Sequence, residues 1–201
     1  MPLEYPKETP SQTAGPFVHI GMMPRVAGFE VFETELGQVP AAEGVPGTRI
    51  TIEGRVLDGT GTPIKDALLE IWHADAEGRY AHPEDPRVNE VHEGFTGFGR
   101  CHTDLDTGTF TIETIKPGVI PGRHARPQAP HLNIWIVARG INIGLHTRMY
   151  FPDEENDDDP LLGMVEHLHR RATLVASATG ENAYRFDIHL QGPQETVFLD
   201  I

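Results

Sequence analysis

Arg49-Ile-Thr-Ile-Glu-Gly-Arg-Val-Leu57 sets Ile50, Ile52 and Val56 against Thr51, Glu53 and Arg55 with a period of two. Successive side chains of an extended strand point to opposite faces, so the alternation predicts a strand with one face buried. The pattern recurs outward from it. Leu69 and Ile71 alternate with Leu68, Glu70 and Trp72, and Leu132, Ile134 and Ile136 alternate with His131, Asn133, Trp135 and Val137. Phe110, Ile112 and Thr114 follow a turn at Asp106-Thr-Gly108, and Asp58-Gly-Thr-Gly61 forms another. Tyr184–Leu190 and Thr196–Leu199 close the chain in the same style. Short strands between Gly, Pro and Asp turns predict an all-β fold, a mixed β-sandwich.

The flanks differ. Residues 1–46 are rich in Pro, Gly and Thr, and Pro2, Pro6, Pro10 and Pro16 each block regular helix. They read as an extended N-terminal arm that docks on a surface through Phe17, Val18, Ile20, Met22 and Met23, ahead of a sandwich domain over 47–201. One short helix is expected after Asp159-Pro160, an N-cap followed by Pro at the first helical position. Leu161, Leu162, Val165 and Leu168 would share its buried face. The acidic run Asp153-Glu-Glu-Asn-Asp-Asp-Asp159 reads as a solvated loop.

Thirty Asp and Glu against 16 Lys and Arg leave a net charge of −14. That balance argues against nucleic acid and anionic membranes as partners. It leaves room for a small anionic substrate, because one Arg outweighs distant charges over a few ångströms. The single cysteine, Cys101, excludes an intramolecular disulfide and suits a reducing cytoplasm. Arg100 and His102 point to the opposite strand face, so Cys101 reads as a buried structural thiol. No apolar run reaches signal-peptide or membrane-spanning length.

Five segments carry a more specific message: Thr9–Gly21, Leu69–Tyr80, Phe98–Asp104, Ile115-Lys-Pro-Gly118 and Ala138–Ile143. Together they resemble the intradiol ring-cleaving dioxygenases, over nearly the whole chain and ending at Gln191–Phe198. Within that family the chain is similar to alpha chains, which lack iron and pair with an iron-bearing beta chain. The family's catalytic chains hold Fe(III) with two tyrosinates and a His-x-His pair. The chemistry is sound: ferric iron is a hard Lewis acid that favours anionic oxygen. A bound trivalent ion deprotonates a phenol that otherwise titrates near ~10.

Carried over position by position, the resemblance keeps Tyr80 and His131 as ligands. It places Val119 where the second tyrosine stands and Asn133 where the second histidine stands. Gln128 occupies the place of an arginine and Arg148 that of a glutamine. The metal site is therefore expected to be degenerate, with Arg148 filling the space and bonding Asn133 or Tyr80. By the same resemblance no catalytic residue is expected on this chain. Fe(III) sits in the beta subunit, and Thr13, Gly15, Pro16 and Arg139 face that partner's pocket. The implied substrates are 3,4-dihydroxybenzoate and O2, in aromatic catabolism through β-ketoadipate.

Taken singly these residues say little. Tyr80 and His131 read as core or edge residues, Arg139 as a surface ion pair of small value, and Thr13-Ala-Gly-Pro16 as a turn. His167-Leu-His169 would point apart on a helix and is not expected to bind metal. The alternative from another functional class is a non-enzymatic sandwich module that binds or scaffolds.

Overall fold

The computed structural model describes residues 10, 12–15, 17–122 and 126–200. Its strands are β1 (Arg49–Leu57), β2 (Leu68–Trp72), β3 (Phe98–His102), β4 (Thr109–Ile115), β5 (His131–Val137), β6 (Leu145–Tyr150), β7 (Ser177–Gly180), β8 (Ala183–Arg185) and β9 (Ile188–His189). One sheet runs β4-β1-β8-β7 with β9 also on β1, and the other runs β3-β2-β5-β6. β1 is antiparallel to β4 but parallel to β8 and β9, so the sandwich is mixed.

The alternating residues do what their period predicts. Ile50, Ile52, Val56, Phe110 and Ile112 from one sheet meet Leu69, Ile71, Leu132, Ile134, Ile136 and Met149 from the other in one core. At about 25 cal/mol per Å² of apolar surface, such burial dominates the folding free energy. Gly54 sits where the β8–β9 link runs beside β1. A Cβ there would lie 1.9 Å from the Phe186 carbonyl oxygen, so only glycine admits this close approach.

The outer face of the second sheet matters for function. Register places Trp72 beside Asn133 and Asn133 beside Arg148. One step along, His131 stands beside Tyr150.

Two expectations about helices are corrected. The helix after Asp159 is replaced by separate 3-10 segments, Leu162–Met164 and Leu168–Leu174. Between them Val165 and His167 are extended, with ψ of 111° and 103°. The cap itself is present: Asp159 Oδ1 accepts hydrogen bonds from the backbone N–H of Leu161 (2.8 Å) and Leu162 (3.1 Å). Leu162 and Leu174 are instead drawn down singly against Tyr150 and Ala129, contacts a straight helix cannot make. The α-helix, α1 (Phe17–Met22), lies in the arm that reads as extended.

The described part of the arm is held to its own chain at points, with Met23 buried, while Phe17 and Ile20 of the expected docking residues are exposed. Arg100 of β3 donates to the Met22 carbonyl (2.9 Å) and, through Nε and Nη2, to Glu70 Oε1. Its own N–H donates to Gly37 O. Ala41 and Val45 close a small cluster with Phe95 and Ile115. Among the described residues no helix is long and apolar enough to cross a membrane.

Candidate functional site

Tyr80 is delivered by a turn that the sequence Asp75-Ala-Glu-Gly-Arg79 builds around one buried carboxylate. Asp75 Oδ1 accepts from the N–H of Glu77 and Arg79, both at 2.9 Å, and Oδ2 accepts from Arg79 Nε at 2.8 Å. Asp85 Oδ2 then accepts the Tyr80 N–H at 2.9 Å. Gly78 has φ of +71°, and a Cβ there would lie 1.9 Å from the Val119 carbonyl oxygen. That contact brings the turn against Lys116-Pro-Gly-Val119, backbone to backbone, aided by the Gly118 N–H donating to Asp75 O. The Tyr80 ring stacks on Trp72 with centroids 5.8 Å apart and planes 11° off parallel. Burial raises its phenol pKa, opposed by the charge of Arg148 and by the Asn133 side chain.

His131 opens β5 and is fully buried. Its Nδ1 lies 2.7 Å from Ala129 O, so that nitrogen carries the proton and donates. Nε2 is left as a buried acceptor with no partner among the described residues. Burial, with the Arg148 charge adding to it, lowers the imidazole pKa to about 4. The ring is neutral at ordinary pH.

Beside it the replaced positions form one network. Arg148 Nε donates to Asn133 Oδ1 at 2.9 Å and Nη1 to Gln128 Oε1 at 2.7 Å, with the Tyr150 hydroxyl 3.4 Å from Nη1. Asn133 Nδ2 donates to Trp72 O at 3.1 Å. The expected Arg148–Asn133 contact is thus present.

These residues do not fit ferric iron. Both amide atoms of Asn133 are committed, Val119 brings no donor, and a guanidinium stands among them where a trivalent cation would be repelled. Tyr80 and His131 supply too little charge and too few donors. Among the described residues no three His, Cys, Asp or Glu side chains group as metal ligands.

Tyr150 and Asp159 back this network; the sequence reading does not single out Tyr150 and takes Asp159 only as a helix cap. The Tyr150 hydroxyl donates to Asp159 Oδ1 at 3.1 Å, and the Ala129 N–H donates to Oδ2 at 2.9 Å. Asp159 is buried, and Asp153 at the other end of the acidic run accepts from Lys116 at 2.8 Å and from Tyr184. The ends of that run are therefore structural, while Asp157 and Asp158 are exposed. The signal for Tyr150 was its parity with Arg148 on one strand face.

The residues expected to face a partner gather elsewhere. Arg139 lies just past the end of β5, which spans ~20 Å at ~3.3 Å per residue from His131. Its side chain is 71% exposed and its Nε pairs with Asp66. Thr13 Oγ1 accepts the Gly140 N–H at 2.6 Å, tying the arm to the Arg139 loop. The Gly15 carbonyl accepts the Val18 N–H at the start of α1, and nothing crowds its Cα. Pro16 lies outside the described residues. Cys101 is half-buried where the sequence reads as buried, and desolvation pushes its thiol pKa up to about 12, which disfavours the thiolate. His167 and His169 stack at 5.8 Å, unlike the splayed pair expected of a helix, because His167 is extended before the 3-10 turn begins.

Comparison with known proteins agrees with this geometry. A family model described as "Dioxygenase" matches residues 32–192. The chain is 46% identical to the protocatechuate 3,4-dioxygenase alpha chain of Pseudomonas putida, over 100% of both chains. It is 36% identical to the protocatechuate 3,4-dioxygenase beta chain of Burkholderia cepacia, over 75% of this chain and 67% of that one. In fold it resembles an intradiol ring-cleavage dioxygenase from Tetranychus urticae, with a TM-score of 0.58 at 18% identity over 80% of this chain and 90% of that one.

Proposed function

The chain belongs to the intradiol ring-cleavage dioxygenase family, and from that premise we propose that it is the iron-free alpha subunit of a protocatechuate 3,4-dioxygenase. The observation that carries the proposal is the Arg148–Asn133–Gln128 network, in which an amide replaces one ligand and a guanidinium that repels Fe(III) is bonded to it. Iron in this iron-dependent family then belongs to a beta subunit, and this chain supplies a wall of that subunit's pocket. The assembled enzyme cleaves 3,4-dihydroxybenzoate between its hydroxyl-bearing carbons. Both atoms of O2 enter the product, 3-carboxy-cis,cis-muconate.

Thr13, Gly15 and Arg139 are the substrate-facing residues in this reading. Asp66 holds Arg139 by Nε, which leaves the two terminal nitrogens for a bidentate bond to the substrate carboxylate. The arm offers the partner an apolar surface: Phe29, Val31, Phe32 and Leu36 are each at least half exposed. Co-expression with a protocatechuate 3,4-dioxygenase beta chain tests the assignment. The two chains should co-purify with iron stoichiometric to the beta chain and cleave 3,4-dihydroxybenzoate, whereas this chain alone should be colourless. A coloured, stoichiometric ferric centre in the chain alone would overturn it.

A further inference from the structure

The arm that carries Thr13 also carries His19, on α1, away from the degenerate metal site. Its ring is half-buried and meets His102 of β3 edge-on, with centroids 6.2 Å apart. The Nε2 of His19 is sealed from solvent and bonds no described residue. His102 is fixed, since its Nδ1 lies 2.8 Å from Thr103 O and donates to it. The pair does not hold a metal: among the described residues no third His, Cys, Asp or Glu completes a ligand group.

Few charges face these two rings. Arg100, also on β3, is committed to Glu70 and to the Met22 carbonyl at the end of α1. Asp104 lies within reach of His102. Burial lowers the His19 pKa below its ordinary 6.5, His102 adds to that, and Asp66 opposes it. Asp66 is also the carboxylate that holds Arg139 by Nε, and it forms no other ion pair among the described residues. Thr13 ties the arm to that same loop through the Gly140 N–H. An imidazole on the arm and a guanidinium at the end of β5 therefore share one carboxylate between them.

We propose that His19 is a proton-operated positioning residue that acts on Arg139 through Asp66 and makes selection of a carboxylated substrate depend on pH. The inference rests on the reading that Arg139 receives the substrate carboxylate. With His19 neutral, Arg139 has Asp66 to itself. A proton on His19 sets a second cation beside that carboxylate, in a half-buried place where the attraction is only partly screened. Asp66 is then shared. Arg139, whose side chain is 71% exposed, loses the tether that orients it, and its terminal nitrogens no longer present a fixed fork. A substrate without a carboxylate is indifferent to that loss.

The test takes the enzyme co-expressed with a beta chain and measures KM for 3,4-dihydroxybenzoate and for catechol from pH ~7.5 to ~5, the range in which a histidine changes charge. Titrations that both substrates share cancel in the ratio of the two KM values. The preference for 3,4-dihydroxybenzoate should fall at least ~3-fold toward low pH, the scale of one exposed ion pair. His19→Gln, which cannot take the proton, should hold the preference constant across the range. Asp66→Asn should show the lower preference at every pH, and it decides the matter by itself if His19→Gln fails to fold. A constant preference in the unsubstituted enzyme, or a fall with pH that survives either substitution, would overturn this inference and leave the subunit assignment standing. Failure of the co-expressed chains to cleave 3,4-dihydroxybenzoate at any pH would overturn both.

Discussion

Replacing Asp159 by Ala removes a buried carboxylate that four donors share: the N–H groups of Ala129, Leu161 and Leu162 and the hydroxyl of Tyr150. Ala129, Leu162 and Tyr150 are themselves buried, so water cannot take over without opening the loop. Each buried donor left unpaired costs ~1–3 kcal/mol. Relaxation of the 3-10 segment returns part of the sum, so the expected loss is ~3–5 kcal/mol. For a chain of this size that corresponds to a Tm lower by ~6–20 °C. Urea denaturation followed by tryptophan fluorescence reads it directly. Asp157→Ala, at an exposed position of the same run, should stay within ~0.5 kcal/mol. Asp159→Asn should fall between them, because its amide oxygen still accepts from Leu161 and Leu162. A loss below ~1 kcal/mol for Asp159→Ala would refute the claim that the acidic run is anchored at its end by this residue.

Other outcomes follow from the same geometry. His73 and His131 are buried with pKa values lowered to about 4. Each therefore contributes stability that is complete above the unfolded value near ~6.5 and is lost as pH falls toward about 4. Each supplies up to ~1.4 kcal/mol per pH unit across that window, and in urea titrations His131→Gln should flatten the decline. Gly78→Ala should cost ~2–4 kcal/mol, since it adds a left-handed Ala and a Cβ against Val119 O, and a midpoint unchanged in urea would contradict the loop packing. In the co-expressed enzyme, Arg139→Ala should raise KM for 3,4-dihydroxybenzoate more than for plain catechol, and equal loss for both would reject its carboxylate role. Substituting Val119→Tyr, Gln128→Arg, Asn133→His and Arg148→Gln together should confer ferric binding with tyrosinate-to-iron colour, detected by visible absorption. Arg148→Gln alone should confer none.

The sandwich was legible because its strands bury one face each, and a period of two records that directly in residues such as Ile50, Ile52, Leu132 and Ile134. Parallel pairing of β1 with β8 was not legible, because it depends on a close approach admitted by Gly54 and nothing in the local pattern names its partner. The helix after Asp159 was misjudged for a physical reason. The apolar spacing of Leu161, Leu162, Val165 and Leu168 fits a helix, but tertiary packing on Tyr150 and Ala129 outweighed a propensity of tenths of a kcal/mol per residue. Asn133 was visible as a departure from the ligand pattern, and Gln128 and Arg148 as departures at an arginine and a glutamine position beside it. That they bond one another was a matter of strand register, which places Arg148 directly across from Asn133. Asp66 as the partner of Arg139 had no sequence signal at all, since loop geometry alone brings them together.

Register also explains why the exchanges belong together. An imidazole at position 133 would meet Arg148 Nε in place of an amide oxygen, pairing a metal ligand's nitrogen with a donor that blocks it. A glutamine at position 148 with Asn133 retained would leave Tyr80 and His131 as the only donors, too few for a trivalent ion. A phenol at position 119 alone would leave an amide at position 133 and the guanidinium of Arg148 in place, still short of the donors a trivalent ion needs. No single reversal therefore restores a ferric site. The guanidinium, the amide that accepts from it and the Gln128 oxygen that fixes its second nitrogen form a self-consistent cationic site; its charge leaves only with Arg148, while the missing donors return only at positions 119 and 133.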